Sequence, residues 1–302
     1  MKYAPKFPSK VTFLFSTLFI AVLCICSAFN VTKKESNPQF ISIQELMNSG
    51  KLEVSIKSLG GHQQECVAFV IKNLTGDTVL ARIEPGRRLH CEDTTMQDIF
   101  LVKHKNVLVL PHENLMVNGY GFCCKSHHRS PVKQTAFSIG AMAPEGWQKL
   151  AKVIDENNFP VKAIQDAVWC LSNDHAISAI TDKNPNSVEL LRRTVAGIKG
   201  LEVPWYTVIY AQPETENQLF SNKHETVTGQ INYHTNGNTI ISIVVKNRKG
   251  QVLKTLIKST SKSSGNHTYD LNLNVANWPT EEYLIYIYED YSNLNTRVKF
   301  KL

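Results

Sequence analysis

Past residue 28 the chain has no apolar run long enough to cross a bilayer, which excludes a later helical membrane span. It also lacks a large charge excess. The formal net charge is +7, and Lys2, Lys6 and Lys10 supply three of those charges without any acid before residue 29, leaving +4. That charge is mild and spread along the chain, so it excludes the concentrated basic footprint of a nucleic-acid binder. A helical pattern is missing around its one cluster of cysteine and histidine, and no cysteine-hydrolase signature is present. Helical periodicity as a whole is confined to the middle of the 302 residues, and everything before and after it has strand character.

The first 28 residues are of a different kind. A lysine-bearing stretch is followed by an apolar run over 11–26, and Cys26-Ser27-Ala28 has the small residues of a leader cleavage site. The expectation is a secreted or cell-surface protein without a membrane span after cleavage. The alternative is an uncleaved anchor, for which the run is short. Five cysteines follow the leader: Cys66, Cys91, Cys123, Cys124 and Cys170. In an oxidising compartment they are expected to pair, Cys66 with Cys91 and one of Cys123 or Cys124 with Cys170, which leaves an odd thiol free.

Alternation with regular turn signals marks strands at 52–56, 66–73, 79–83, 98–102, 107–110 and 115–122. They predict a β-sandwich over 51–122, after a flexible arm at 29–50. Val54, Phe69, Ile71, Leu80, Ile83, Ile99, Leu108 and Leu110 are its expected core, and Gly119 and Gly121 mark the end of its last strand. The period then changes. Trp147, Leu150, Ala151 and Ile154 fall at helical spacing and predict a helix over 145–157. A second helix is expected over 161–172, interrupted from the first by Phe159-Pro160, with Gln165 bordering its apolar stripe. A third carries Val188, Leu191 and Val195, with Ser187 as its cap and Gly197 and Gly200 as its stop. The segment 201–225 has the composition of a linker that begins with a buried Trp205-Tyr206. Six more strands from 226 to 302, with turns at Asn236-Gly237 and Lys249-Gly250, predict a second antiparallel sandwich. The fold class is therefore mainly β with a small helical segment at 123–200: an N-terminal β-sandwich, two to three helices and a C-terminal Ig-like β-sandwich.

Within the last unit, Asn247-Arg248-Lys249-Gly250-Gln251-Val252, Gly265-Asn266-His267-Thr268-Tyr269, Trp278-Pro279 and Tyr283-Leu284-Ile285-Tyr286-Ile287 follow one another in an order that resembles the Ig-like C-terminal domains of secreted bacterial proteins. That group includes hook-cap-type Ig domains and the sorting domains of the type IX secretion route, and the resemblance implies export or display. In the middle, Phe122-Cys123, Ser130-Pro131, Asn157-Asn158-Phe159-Pro160 and Ile164-Gln165-Asp166-Ala167-Val168-Trp169 stand in an order similar to bacterial thioester domains. The resemblance implies that the sulfur of Cys123 (or Cys124) condenses with the carboxamide of Gln165. The resulting electrophile captures an amine on a partner.

Three other readings belong to the same residues. Disulfides over Cys66, Cys91 and Cys170 with Cys123 or Cys124 would make a non-reactive stapled module exported through its C-terminal domain. Cys123 and Cys124, each four residues before His127 and His128, have the spacing of a soft-metal site on a helix. A cysteine hydrolase would need His127, His128 or His175 as its base. The sequons at Asn73 and Asn266 read as chance. The function expected is binding or adhesion to an extracellular protein or glycan surface, without enzymatic turnover, cofactor or nucleic acid; nothing in the residues sets the oligomeric state.

Overall fold

A computed structural model describes Met1 and residues 39–215 and 218–302. The expected leader and most of the first half of the arm lie in 2–38, outside the described residues. From Phe40 onwards the chain forms one unit. The expected arm is folded at its end. After β1 (Ile41–Ser42), helix α1 (Ile43–Asn48) is capped by the Ser42 hydroxyl, and its Ile43 and Leu46 are buried in the first core.

Nine strands make up the first half: β1, β2 (Leu52–Ser58), β3 (Gln63–Asn73), β4 (Val79–Ile83), β5 (Arg87–Cys91), β6 (Ile99–Leu101), β7 (Lys105–Val109), β8 (Asn114–Cys123) and β9 (Ala136–Met142). Six of them close into a barrel in the order β2-β3-β8-β6-β5-β9, and β1, β4 and β7 form a separate three-stranded sheet. This corrects the expected open sandwich. The difference is β9, inside the stretch assigned to the helical segment. It pairs with β2 through Ile56↔Phe137 and with β5 through Leu89↔Ile139, so no open edge is left between them.

Two other expectations are corrected by one-residue phase. Leu108 and Leu110 are half exposed, whereas Val107 and Val109 are buried. On β4 the buried residues are Val79, Ala81 and Ile83, with Leu80 on the other face. Both strands carry aliphatics on both faces, so alternation alone does not say which face turns inward. Gly119 and Gly121 lie within β8 rather than ending it. A Cβ on Gly121 would stand 2.4 Å from Ile99 Cγ2, and one on Gly119 would stand 2.7 Å from the Phe69 ring. These are positions of close approach inside the barrel wall. Asn73, too, has a structural task. Its Nδ2 donates to the carbonyls of Asp77, Val109 and Leu110, so it ties the end of β3 to β7.

Helices α2 (Glu145–Glu156), α3 (Val161–Ser172) and α4 (Glu189–Lys199) pack as a layer on one side of the barrel. Phe100 and Phe122 leave the barrel wall on that side and join Leu150, Ile154, Ala167 and Leu191 in a second core. Helix α3 is the middle of this layer, and every residue from Ala163 to Cys170 is buried. Gly200 ends α4 in the left-handed conformation, as its position predicts. Ser187 does not cap α4. It sits in a 3-10 turn and donates to the Asn184 carbonyl and to Asp182.

The remaining strands form the expected Ig-like sandwich. One sheet is β10 (Tyr206–Tyr210), β11 (His224–Thr235) and β14 (Gly265–Asn274). The other has β12 (Thr239–Lys246) flanked by β13 (Val252–Lys262) and β15 (Glu282–Glu289), with β16 (Asn293–Lys301) at its edge. Ile241, Ile243 and Val245, with Ile285 beside them on β15, share its core with Leu271 and Leu273 of the other sheet. The expected linker contributes β10, which pairs along β11 through Val208↔Val227. Among the described residues no helix is long and apolar enough to cross a membrane.

Closure at β8 gives a direct test. Gly121→Ala should lower stability by about 1–3 kcal/mol, because the added methyl overlaps Ile99 in a packed wall. A thermal melt unchanged from that of the wild type would contradict the β8–β6 packing.

Candidate functional site

The site forms where β8 runs out of the barrel under α3. Cys123 is the last residue of β8, and strand alternation sends its side chain into the barrel core while Phe122 and Cys124 face the helices. Gln165 stands in the first half of α3 and is 1% exposed. Its carboxamide closes a ring on the Cys123 backbone: Nε2 donates to Cys123 O at 2.8 Å, and Cys123 N–H donates to Oε1 at 3.3 Å. The same N–H also donates to His62 O at 2.9 Å. A buried amide needs such partners, since leaving it unpaired costs about 1–3 kcal/mol. The turn after β8 is held from two further sides. Lys125 N–H donates to Gln97 Oε1 and Ser126 N–H to Asn173 Oδ1, which joins it to the β5–β6 loop and to the end of α3.

Gln165 also lines a cavity of about 280 Å³. Lys162, Asp166 and Trp169 come from the same face of α3, His62 and Gln63 from the start of β3, and Tyr210 and Phe220 from β10 and the segment after it. Phe220 packs edge-on to Trp169 and against the ring of His175. Asp166 is 5% exposed and accepts a hydrogen bond from Lys162 Nζ at 2.6 Å. Burial pushes its carboxyl up to about 6, against the opposing pull of Lys162. Trp169 Nε1 is buried without a hydrogen-bond partner among the described residues.

The resemblance to thioester domains pairs the sulfur of Cys123 or Cys124 with Gln165; the fold sets the Gln165 amide on the Cys123 backbone, with the Cys123 side chain turned into the barrel core and that of Cys124 toward the helices. Sequence reasoning missed Asp166, Lys162, Tyr210 and Phe220. The signal for the first two was present, as Lys162 and Asp166 stand four apart astride Gln165. The two aromatics come from β10 and the segment assigned to a linker, and nothing local joins them to α3.

The disulfide expectation is not met. The five cysteines among the described residues are all free and buried. Cys66, Cys91 and Cys123 lie in the barrel core, while Cys124 and Cys170 lie in the helical core. Burial pushes the thiols of Cys66, Cys124 and Cys170 up to about 12 and that of Cys123 well above its ordinary value. The metal reading fails as well. Among the described residues no group of His, Cys, Asp or Glu is arranged to hold an ion. The two thiols of the pair point into different cores, His127 is exposed on the turn, and His128 bonds the Met96 carbonyl. His175 bonds Ser126 Oγ at 3.0 Å, and burial pushes its imidazole down to about 4. None of the three histidines proposed as a base for a cysteine nucleophile bonds a sulfur among the described residues.

No family model matches the chain, and no curated protein does. Among solved structures the chain is similar to red sea bream transglutaminase. The TM-score is 0.18 and the identity 10%, over 85% of this chain and 33% of that one. The chain spans about a third of that enzyme's length, and a likeness of this size carries no argument about either fold or activity.

The Asp166 carboxyl makes stability depend on pH. Its folded value lies above the ordinary carboxylate value, so the folded state binds the proton more tightly than the unfolded chain and gains stability as pH falls through about 6. Asp166→Asn stays uncharged throughout. It should therefore be more stable than wild type by about 2–3 kcal/mol near pH 8, with the difference closing as pH falls toward 4. Denaturation at a series of pH values checks this, and a difference independent of pH would contradict it.

Proposed function

We propose that this is a secreted or cell-surface binding protein in which Gln165 and a cysteine at the tip of β8, Cys124 on its helix-facing side or else Cys123, form an internal thioester that captures a primary amine on an extracellular partner. The observation that carries the reading is the Gln165 carboxamide, buried and bonded through both of its polar atoms to the backbone of Cys123, directly before Cys124. A glutamine on a helix has no local reason to meet Cys123, 42 positions away.

The chemistry balances without a co-reactant. The cysteine sulfur attacks Gln165 Cδ, the C–N bond breaks, and the thiol proton leaves with the nitrogen as ammonia. The Cys123 N–H already bonded to Oε1 is a donor on the oxygen that takes up negative charge in that step. An incoming amine then attacks the same carbon, the C–S bond breaks, and an amide and a free thiol result. The cavity beside Gln165 supplies a route to that carbon, and its aromatic walls suit the stem of a lysine side chain. Cys124 is the first candidate for the sulfur, since it packs in the core that also holds Ala163 and Ala167 of α3, whereas the side chain of Cys123 turns into the barrel core. The Ig-like unit would display the site, in keeping with the exported domains that it resembles. The buried free thiols speak against the stapled-module alternative.

Intact mass tests the reading. Wild-type protein should be lighter by one ammonia and should gain one methylamine on incubation with it. Gln165→Ala and Cys124→Ala should each abolish both effects, while Cys123→Ala should retain them. A wild-type mass without the ammonia deficit would end the thioester proposal. Loss of the deficit in Cys123→Ala alone would move the sulfur to Cys123.

A further inference from the structure

We propose that Asp166 is the proton acceptor for the amine that enters the cavity beside Gln165. The proposal rests on the thioester reading and adds a catalytic residue to it. An amine that attacks an acyl carbon becomes cationic at nitrogen and must lose a proton before the amide is stable. Among the described residues that line this cavity, Asp166 is the sole carboxylate. It follows Gln165 directly on α3, and both side chains face the same space. Lys162 is the hydrogen-bond donor to Asp166, and Tyr210, pushed up to about 12 by burial, holds its proton. His62 lines the cavity from the opposite side, at the start of β3.

The hydrogen bonding of Asp166 leaves it capacity to act. Lys162 Nζ on Oδ2 is its only donor among the described residues, and Lys162 itself is 68% exposed on its side chain. A neutral amine entering the cavity meets a carboxylate whose present counter-ion sits on a solvent-exposed stem, so the nitrogen that turns cationic on attack finds an acceptor for its proton at the same place. One turn further along α3, the Trp169 indole N–H is buried without a partner among the described residues, a donor on the same helix face. The titratable groups facing Asp166 are Lys162 and Cys170 from its own helix, Tyr210 from β10 and His62 across the cavity.

The step is complete as written. The amine nitrogen bonds to Gln165 Cδ, its proton passes to the Asp166 carboxylate, the C–S bond breaks, and the departing sulfur recovers the proton from Asp166. The products are an amide and a cysteine thiol, and Asp166 returns to its starting form.

The test follows intact mass over time with the full chain and methylamine. Asp166→Asn should show the same ammonia deficit as wild type but add methylamine at least about tenfold more slowly, the low end of what a positioned base contributes. Asp166→Glu should recover part of the rate. Equal rates in Asp166→Asn and wild type overturn the role of Asp166 and leave the thioester standing. A wild type without the ammonia deficit removes both. Should Asp166→Asn fail to fold or to lose ammonia, wild-type protein decides, with methoxyamine as a nucleophile that stays largely uncharged. Its rate of addition should fall as pH drops through about 6. A rate that is flat across that range overturns the proposal.

Discussion

A buried side-chain amide has two polar ends, and both must be satisfied in a place that water does not reach freely. At Gln165 both ends are satisfied by one residue, Cys123, whose backbone supplies an acceptor and a donor at the tip of β8. This pairing sets the height of α3 over the barrel, because a slip of α3 by one residue would turn the amide toward apolar neighbours. The surrounding polar contacts repeat the same logic. Asp98 accepts from the Cys91 N–H and is paired with Arg88 and Lys125. The turn that follows Cys124 hangs between Gln97 and Asn173. A strand end that would otherwise fray is held by side chains from three directions.

The electrostatics of the site follow from burial more than from charge pairing. Five thiols in apolar surroundings stay protonated, and a protonated thiol is a poor nucleophile. In the proposed thioester, the property that slows its formation also protects the bond once it is made. The one strongly perturbed carboxyl near it, Asp166, lies on the cavity side of α3, where a ligand could reach it.

Much of the fold was legible because its elements are amphipathic. Helix α3 begins at Val161 and ends at Ser172, as the break at Phe159-Pro160 and the change at Asn173-Asp174 predict. Strand β12 runs from Thr239 to Lys246 with its inward residues in the expected phase. The phase of β4 and β7 was not legible, since Leu80, Leu108 and Leu110 are as apolar as the valines that face inward. Nor was the closure of the barrel. Ala136 to Met142 is a short strand bounded by turns, and only its two partners make it part of a closed sheet. Within the site, the cysteine and glutamine stood out by residue type, whereas Tyr210 and Phe220 look like ordinary aromatics of a connecting segment.

Residue order alone determined the mainly β class, the helical interlude and the C-terminal β-sandwich, while the pairing of a strand-end cysteine with a helical glutamine was implied by the resemblance to thioester domains. The first three rest on period, on turn chemistry or on residue identity, which are local properties. Tertiary structure decided which face of each strand turns inward, that the first sheet closes, that the thiols stay apart in two cores, and that an aromatic-walled cavity opens beside Gln165 and Asp166. These depend on contacts between segments far apart in the chain, whose energies no single stretch carries.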